Sequence, residues 1–268
     1  MTEQCVTLKI ANNIAFIHLN RPEKRNALNM EMFKSIDRVS RNLKRNRSIR
    51  AVIVQANGDD FCSGLDVKSM MSSKSSTLSL LSKVLPGQAN LAQRVSYNWR
   101  KLPVPVIMVI HGRCWGGGLQ IALGADFRFA TPDASFSIME GKWGLIPDMG
   151  ANLAMRELVR KDVALKLAMT AEIMTAQSAL NYGLITAIDD DPLKQAMQLA
   201  GQLAERSPDA VAAVKKLYHR TWFRSEWLML ARESFYQVKI LLGKNQGRAV
   251  KKQLNPEKNL GYLPRKKW

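Results

Sequence analysis

The sequence is short of the residues that carry metal and redox chemistry. Its 268 residues include three cysteines (Cys5, Cys62, Cys114) and three histidines, widely scattered. No CxxC pair and no His/Cys/acid cluster occurs, so the spacing suggests neither a disulfide framework nor a metal site. Aromatic residues make up only 7% of the chain and do not interleave with its basic runs. A stacking platform for nucleic-acid bases would need them to. The longest clean apolar run, residues 104–110, falls far short of the roughly 20 residues that span a bilayer. The N-terminus, MTEQCVTLKI, carries an acid and lacks the basic-then-apolar order of a signal peptide. Together these absences predict a cytoplasmic protein in a reducing compartment, with no membrane insertion and no metal.

Acids are also scarce, at 22 Asp and Glu against 40 Lys and Arg, for a net charge of +18. Residues 21–50 hold ten basic residues against three acids, and residues 239–268 hold nine against one. A basic surface of this size attracts nucleic acid, anionic membrane or a phosphorylated small molecule. The plainer alternative is a solvated basic face.

What is present reads as α/β. CVTLKIANNIAFIHLN reads as two strands about the turn ANN, and NMEMFKSIDRVSRNLKRN as an amphipathic helix. Met32, Phe33, Ile36, Val39 and Leu43 fall on one face of that helix. IRAVIVQANG and VPVIMVIHG read as buried strands, and QANLAQRVSYNWRKL as a helix ended by Pro103. Residues 69–89 form a Ser/Lys-rich loop with short helices. FRFATPDASFSI reads as a strand pair. The pattern predicts strands before about residue 160 and helices after it, without an internal repeat of fixed period.

Residues 112–120, GRCWGGGLQ, place three glycines between a strand and a helix. Glycine lets a ligand approach the backbone, and a helix N-terminus offers unpaired N–H donors, which together suit an anion or an oxyanion. Close helix–strand packing explains a glycine triplet equally well. The spacing matches neither G-x-G-x-x-G nor G-x-x-x-x-G-K-[ST]. ANGDDFCSGLDV repeats the strand, Gly turn and helix-like start at a second place.

LNRPEKRNALN, GDDFCSGLDVKSM, HGRCWGGGLQIALGADFRFA and FSIMEGKWGLIPDMG resemble, in order and spacing, the blocks of the crotonase (enoyl-CoA hydratase/isomerase) superfamily. The resemblance covers about residues 6–183. It implies the crotonase fold, an α/β fold of repeated ββα units in a spiral core. It implies a core over residues 1–200, a helical trimerisation region over 201–268, and a homotrimer or a hexamer built as a dimer of trimers. It implies an acyl-CoA thioester substrate and no cofactor beyond the coenzyme A that the substrate carries. The backbone N–H groups of Leu65 and Gly117 would form the oxyanion hole, and a Cβ on Gly117 would crowd the thioester. Lys24, Arg25, Ser63, Asp66 and Gln120 would contact CoA or substrate.

Hydratases of this family use two glutamates. Here Glu140 matches one, and the other position holds Gln120, a neutral amide that takes no proton at pH 7. Asp148, eight residues after Glu140, matches the place of an acid in members resembling dienoyl-CoA isomerases. Glu140 and Asp148 would then carry protons, their pKa values raised by an apolar cavity of which Trp143, Leu145 and Ile146 form part. The reading favoured is double-bond isomerisation. Two alternatives stay open: an enoyl-CoA hydratase using Glu140 with Gln120, and a non-catalytic member that binds acyl-CoA or RNA. Glu140 could instead be a salt-bridge residue, and Asp148 an N-cap of the next helix. Cys62 and Cys114 have no His near them in sequence, which argues against a thiolate nucleophile.

Overall fold

A computed structural model describes residues 4–71, 74–258 and 260–268. Strands β1 (Val6–Ala11) and β2 (Ile14–Leu19) form an antiparallel hairpin. Asn12 and Asn13 both take positive φ at its tip, the two-residue turn whose twist matches the strands. Helix α1 (Met30–Arg45) starts where the Asn29 side chain accepts a hydrogen bond from Met32 N, and it buries Met32, Phe33, Ile36 and Leu43. Strand β3 (Ala51–Ala56) then runs parallel to β2. The short helices α2 (Val67–Met71) and α3 (Lys74–Leu81) occupy the expected loop, of which residues 72 and 73 lie outside the described residues. Helix α4 (Leu91–Lys101) opens with a reciprocal capping box between Asn90 and Gln93.

Strand β4 (Val106–Ile110) is buried at every position, as a parallel strand covered on both faces must be. It leads through β5 (Arg113–Trp115) into α5 (Gly117–Leu123). Next come β6 (Phe127–Ala130), β7 (Ser135–Ser137), α6 (Ala151–Leu158), α7 (Lys161–Thr170), β8 (Met174–Thr175), α8 (Ala176–Asn181) and β9 (Ala187–Ile188). The chain closes with α9 (Pro192–Ala204), α10 (Pro208–Thr221), α11 (Glu226–Leu241) and α12 (Lys244–Leu254).

Two sheets result. The larger has the order β1-β2-β3-β4-β6-β9, the smaller β5-β7-β8. Alternate residues of β3 and β4 face opposite sides of the larger sheet. Val52, Val54, Val106, Met108 and Ile110 join the main core with residues of α1, α4 and α5. Ala51, Ile53, Ile107 and Val109 pack with Ala196 and Ala200 of α9 on the other side.

Two expectations need correction. FRFATPDASFSI does not form a pair: β6 joins the larger sheet and β7 the smaller, because the chain crosses between sheets at residues 131–134. Strands also continue past residue 160, since β8 and β9 each add two residues to an existing edge. Helix α12 agrees with the expected helices after about residue 160. The expected division after residue 200 falls within α9. No helix among the described residues is long and apolar enough to cross a membrane.

Candidate active site

The loops that follow β3 and β4 run side by side. Cys62 N donates to Arg113 O at 2.9 Å and Trp115 N to Cys62 O at 3.0 Å, and Cys62 and Cys114 form a parallel bridge. Gly64 and Gly116 both take positive φ here, at +99° and +50°. A Cβ on Gly64 would come within 3.1 Å of Trp115 O and 3.7 Å of Gly117 N, so the two backbones are in contact.

This packing fixes two amides. Leu28 N donates to Gly64 O at 2.8 Å, and Asp66 N donates to Leu28 O at 3.0 Å. In that parallel bridge the N–H of Leu65 is turned away from Leu28. Gly117 opens α5, where the first N–H groups have no partner within the helix. Neither amide donates to another described residue. A Cβ on Gly117 would meet Leu28 Cδ1 at 2.7 Å and Met149 Sδ at 3.0 Å. Gly117 is therefore needed for packing behind the amide.

The Gln120 and Glu140 side chains meet beside Gly116. Gln120 is fully buried. Its Nε2 donates to Glu140 Oε1 at 2.6 Å, and its Oε1 accepts from Met149 N at 2.9 Å. Glu140 lies in a 3-10 turn, Met139–Trp143. Its Oε2 is buried with no hydrogen-bond partner among the described residues. Burial pushes the Glu140 carboxyl above the ordinary glutamate range, and the charge of Asp148 pushes it further, against the pull of the Gln120 hydrogen bond. Asp148 is raised by desolvation as well. Its residue surface is open to solvent. Asp148 does not cap α6: Gly150 holds that position, with φ of +91° and no side-chain cap. The expected apolar cavity is not closed in the single chain. Trp143, Leu145 and Ile146 are 60%, 57% and 74% exposed because the glycine-flanked turn holds them outward.

The remaining predicted residues lie on the segments before α1 and after β3. Arg25 O accepts from Ser63 N at 3.0 Å, and Lys24 and Arg25 are exposed. Asp66 is held by Arg21 at 2.8 Å and by Ser69 N at 3.1 Å. Burial pushes its carboxyl up, but these hydrogen bonds and the Arg21 and Lys24 charges outweigh that and hold it below its ordinary value. Sequence reasoning missed Arg21 and Asn26. Arg21 also donates to Ala27 O, while buried Asn26 donates to Asn57 O and Asp60 O. A polar pair flanking a Pro-containing turn is the only local signal, and it resembles any exposed turn. The thiols agree with their predicted inertness: burial pushes Cys62 up to about 12 and Cys114 well above its usual value. Among the described residues, no group of three or more His, Cys, Asp or Glu could hold a metal ion.

Comparison with known proteins matches residues 9–242 to the model of a family described as Enoyl-CoA hydratase/isomerase. A mitochondrial Delta(3,5)-Delta(2,4)-dienoyl-CoA isomerase of Mus musculus is 31% identical over 211 residues, covering 76% of this chain. The match spans 64% of that relative's length. The (E)-benzylidenesuccinyl-CoA hydratase of Thauera aromatica is 30% identical over 214 residues, 79% of this chain and 80% of the relative. In structure, an enoyl-CoA hydratase from Polaromonas sp. JS666 aligns with a TM-score of 0.82 at 25% identity, covering 96% of this chain and 99% of the other.

Proposed function

The chain belongs to the enoyl-CoA hydratase/isomerase family and has the crotonase fold, and on that premise we propose that it isomerises a 3,5-dienoyl-CoA to the 2,4-dienoyl-CoA. The observation that carries this reading is Glu140, which keeps one buried, unpartnered carboxylate oxygen while Gln120 holds the other. Asp148 is the proposed second acid, and its charge is among the causes that raise the Glu140 pKa. Two carboxyls of raised pKa can divide the work, one ionised as base and one protonated as acid.

The chemistry needs two proton transfers and no net redox change. A base removes a proton from C2, and the electron pair enters an extended enolate conjugated with the two double bonds. Protonation at C6 then moves the double bonds to C2 and C4, and the two carboxyls have exchanged protonation states. The enolate oxygen bears the developing charge. The free amides of Leu65 and Gly117 are the proposed donors to it, and losing one such donor costs roughly two to three powers of ten in rate. Lys24, Arg25, Ser63 and Asp66 are the proposed CoA contacts. Their shared path along the Leu28–Leu65 bridge supports that reading. The reaction calls on no group beyond the CoA that the substrate carries.

In this reading Gln120 replaces the second glutamate of a hydratase and holds Glu140 Oε1 in place. Its amide is bonded at both ends, which leaves it poorly suited to activating water. Assembly into trimers is part of the proposal. Trp222, Trp227, Leu230, Phe235 and Leu242 are all more than half exposed in the single chain, and a second copy of the chain would cover them.

The test is absorbance of a 3,5-dienoyl-CoA incubated with the protein. The conjugated 2,4-dienoyl band should appear, and Asp148→Asn should abolish it while CoA binding persists. If there is no band, but a trans-2-enoyl-CoA gains water, the protein is a hydratase. If neither changes although CoA binds, it is a non-catalytic acyl-CoA-binding member.

A further inference from the structure

The C-terminal ends of α1 and α4 converge on α10 around a cavity of about 290 Å³. It lies well away from the candidate active site. The first turn of α1 abuts Leu28, and Lys44 at its other end lines the cavity; fourteen residues of helix separate the ends by about 21 Å.

The cavity is strongly basic, and its cations fall into two groups. One group is neutralised. Lys215 Nζ donates to Asp126 at 2.6 Å and to the carbonyls of Trp99 and Val104, and His219 shares Asp126 at 3.0 Å. Arg100 is paired with Glu157. The other group comprises Lys44, Lys101, Lys216 and Arg220, none of which forms an ion pair or side-chain hydrogen bond with another described residue. Lys101 lies 4.1 Å from the centroid of the Tyr97 ring, an aromatic contact that leaves the positive charge in place.

Helix dipoles explain only part of this. Each helix C-terminus supplies about half a negative charge, and its effect fades beyond the last turn. Lys216 sits more than a turn from the end of α10. It is half-buried, and burial first, then Arg220, Lys239, Lys44 and Arg232, push its pKa down. Buried Lys215, by contrast, has Asp126 beside it. A charge taken partly out of water with only like charges around it is stabilised when an anion arrives.

We propose that this cavity is a binding site for a small polyphosphate anion, held by Lys44, Lys101, Lys216 and Arg220. The volume suits a di- or triphosphate group, at the lower edge of the roughly 300–1,000 Å³ of small-molecule sites. A nucleic-acid strand would instead need an open groove with free aromatic faces. Here Lys101 covers Tyr97, and Lys239 covers the Trp268 ring at 4.3 Å.

The experiment uses the full chain and inorganic tripolyphosphate at fixed ionic strength. Calorimetric titration and the shift in unfolding temperature are compared for wild type, Lys216→Gln and Lys101→Gln. Tripolyphosphate should stabilise wild type, and each variant should lose about tenfold or more in affinity. Lys216→Gln alone should unfold at or above the wild-type temperature. Excess CoA should not displace the probe, and turnover of a CoA substrate should be unchanged in both variants. A nucleoside triphosphate run in parallel distinguishes sources: equal affinity means that the phosphates alone are read, and tighter binding means that the nucleoside touches the walls. Three results would overturn the proposal: equal stabilisation of the variants, displacement by CoA, or an RNA oligonucleotide that binds through these lysines when tripolyphosphate does not.

Discussion

The candidate active site and the basic cavity share one electrostatic feature: each holds charge without an opposite partner. In the active site it is a pair of carboxyls, Glu140 and Asp148, each raised above its usual pKa. In the cavity it is a group of cations around Lys216. The two respond differently to the same stress. A carboxyl lifted by burial relieves it by holding a proton more readily than an exposed one. A lysine must be lowered much further before it gives up its proton near neutrality, so an anion relieves it more readily. The Asp126–Lys215–His219 group, beside the cavity, completes the contrast: its charges are matched, and it ties α10 to the sheet rather than waiting for a ligand.

The sharpest way to break this contrast is Glu140→Gln. Turnover should fall by roughly 10²–10⁴, the contribution of a positioned acid or base. Stability should move the other way at neutral pH. Because the folded pKa of Glu140 is raised, its contribution to stability is complete below the unfolded pKa and is lost as pH rises through the folded value. Glutamine mimics the protonated form, so the variant should melt above wild type at pH 7 and alongside it at pH 4. Melting below wild type at both pH values would make Glu140 a structural anchor. Asp126→Asn should come next. It leaves Lys215, 7% exposed, buried without its counter-charge, at a cost of roughly 3–5 kcal/mol. Urea unfolding would measure it, and a loss below 1 kcal/mol would remove the matched group from the comparison.

How much of this was legible beforehand depends on distance along the chain. The hairpin at Asn12–Asn13, the apolar face of α1 and the stop of α4 before Pro103 follow from local chemistry, and the structure has them. The four motif blocks named the fold and nominated Glu140, Asp148, Leu65 and Gly117. The structure brings Gln120 to Glu140 and Gly64 against Gly117. Features built from remote partners stayed hidden. Two-residue strands such as β8 and β9 are too short to show a period. Arg21 reads as one more surface cation until its bond to Asp66, 45 residues away, buries its meaning in the fold. The basic cavity draws Lys44, Lys101 and Lys216 from three separate helices, so a net charge of +18 could announce a surplus without locating it.

The smallest effect expected is the most discriminating, because it alters the active site without removing either proposed acid. Gln120→Glu replaces a donor to Glu140 Oε1 with a second carboxylate, while Met149 N can still donate to the new side chain. Two carboxyls within hydrogen-bond distance cannot both ionise freely, so the pair titrates as a unit and its upper pKa rises. The acid limb of the pH–rate profile should therefore move to higher pH. Stability should fall by roughly 1.5–3 kcal/mol at pH 7, the worth of a hydrogen bond to a charged group. It should return as pH falls, because one shared proton restores the donor. A profile that does not move would mean that Gln120 only packs α5 against the turn bearing Glu140. A moved profile with newly gained water addition to a trans-2-enoyl-CoA would mean something stronger: that the amide at position 120 is what separates this site from a hydratase.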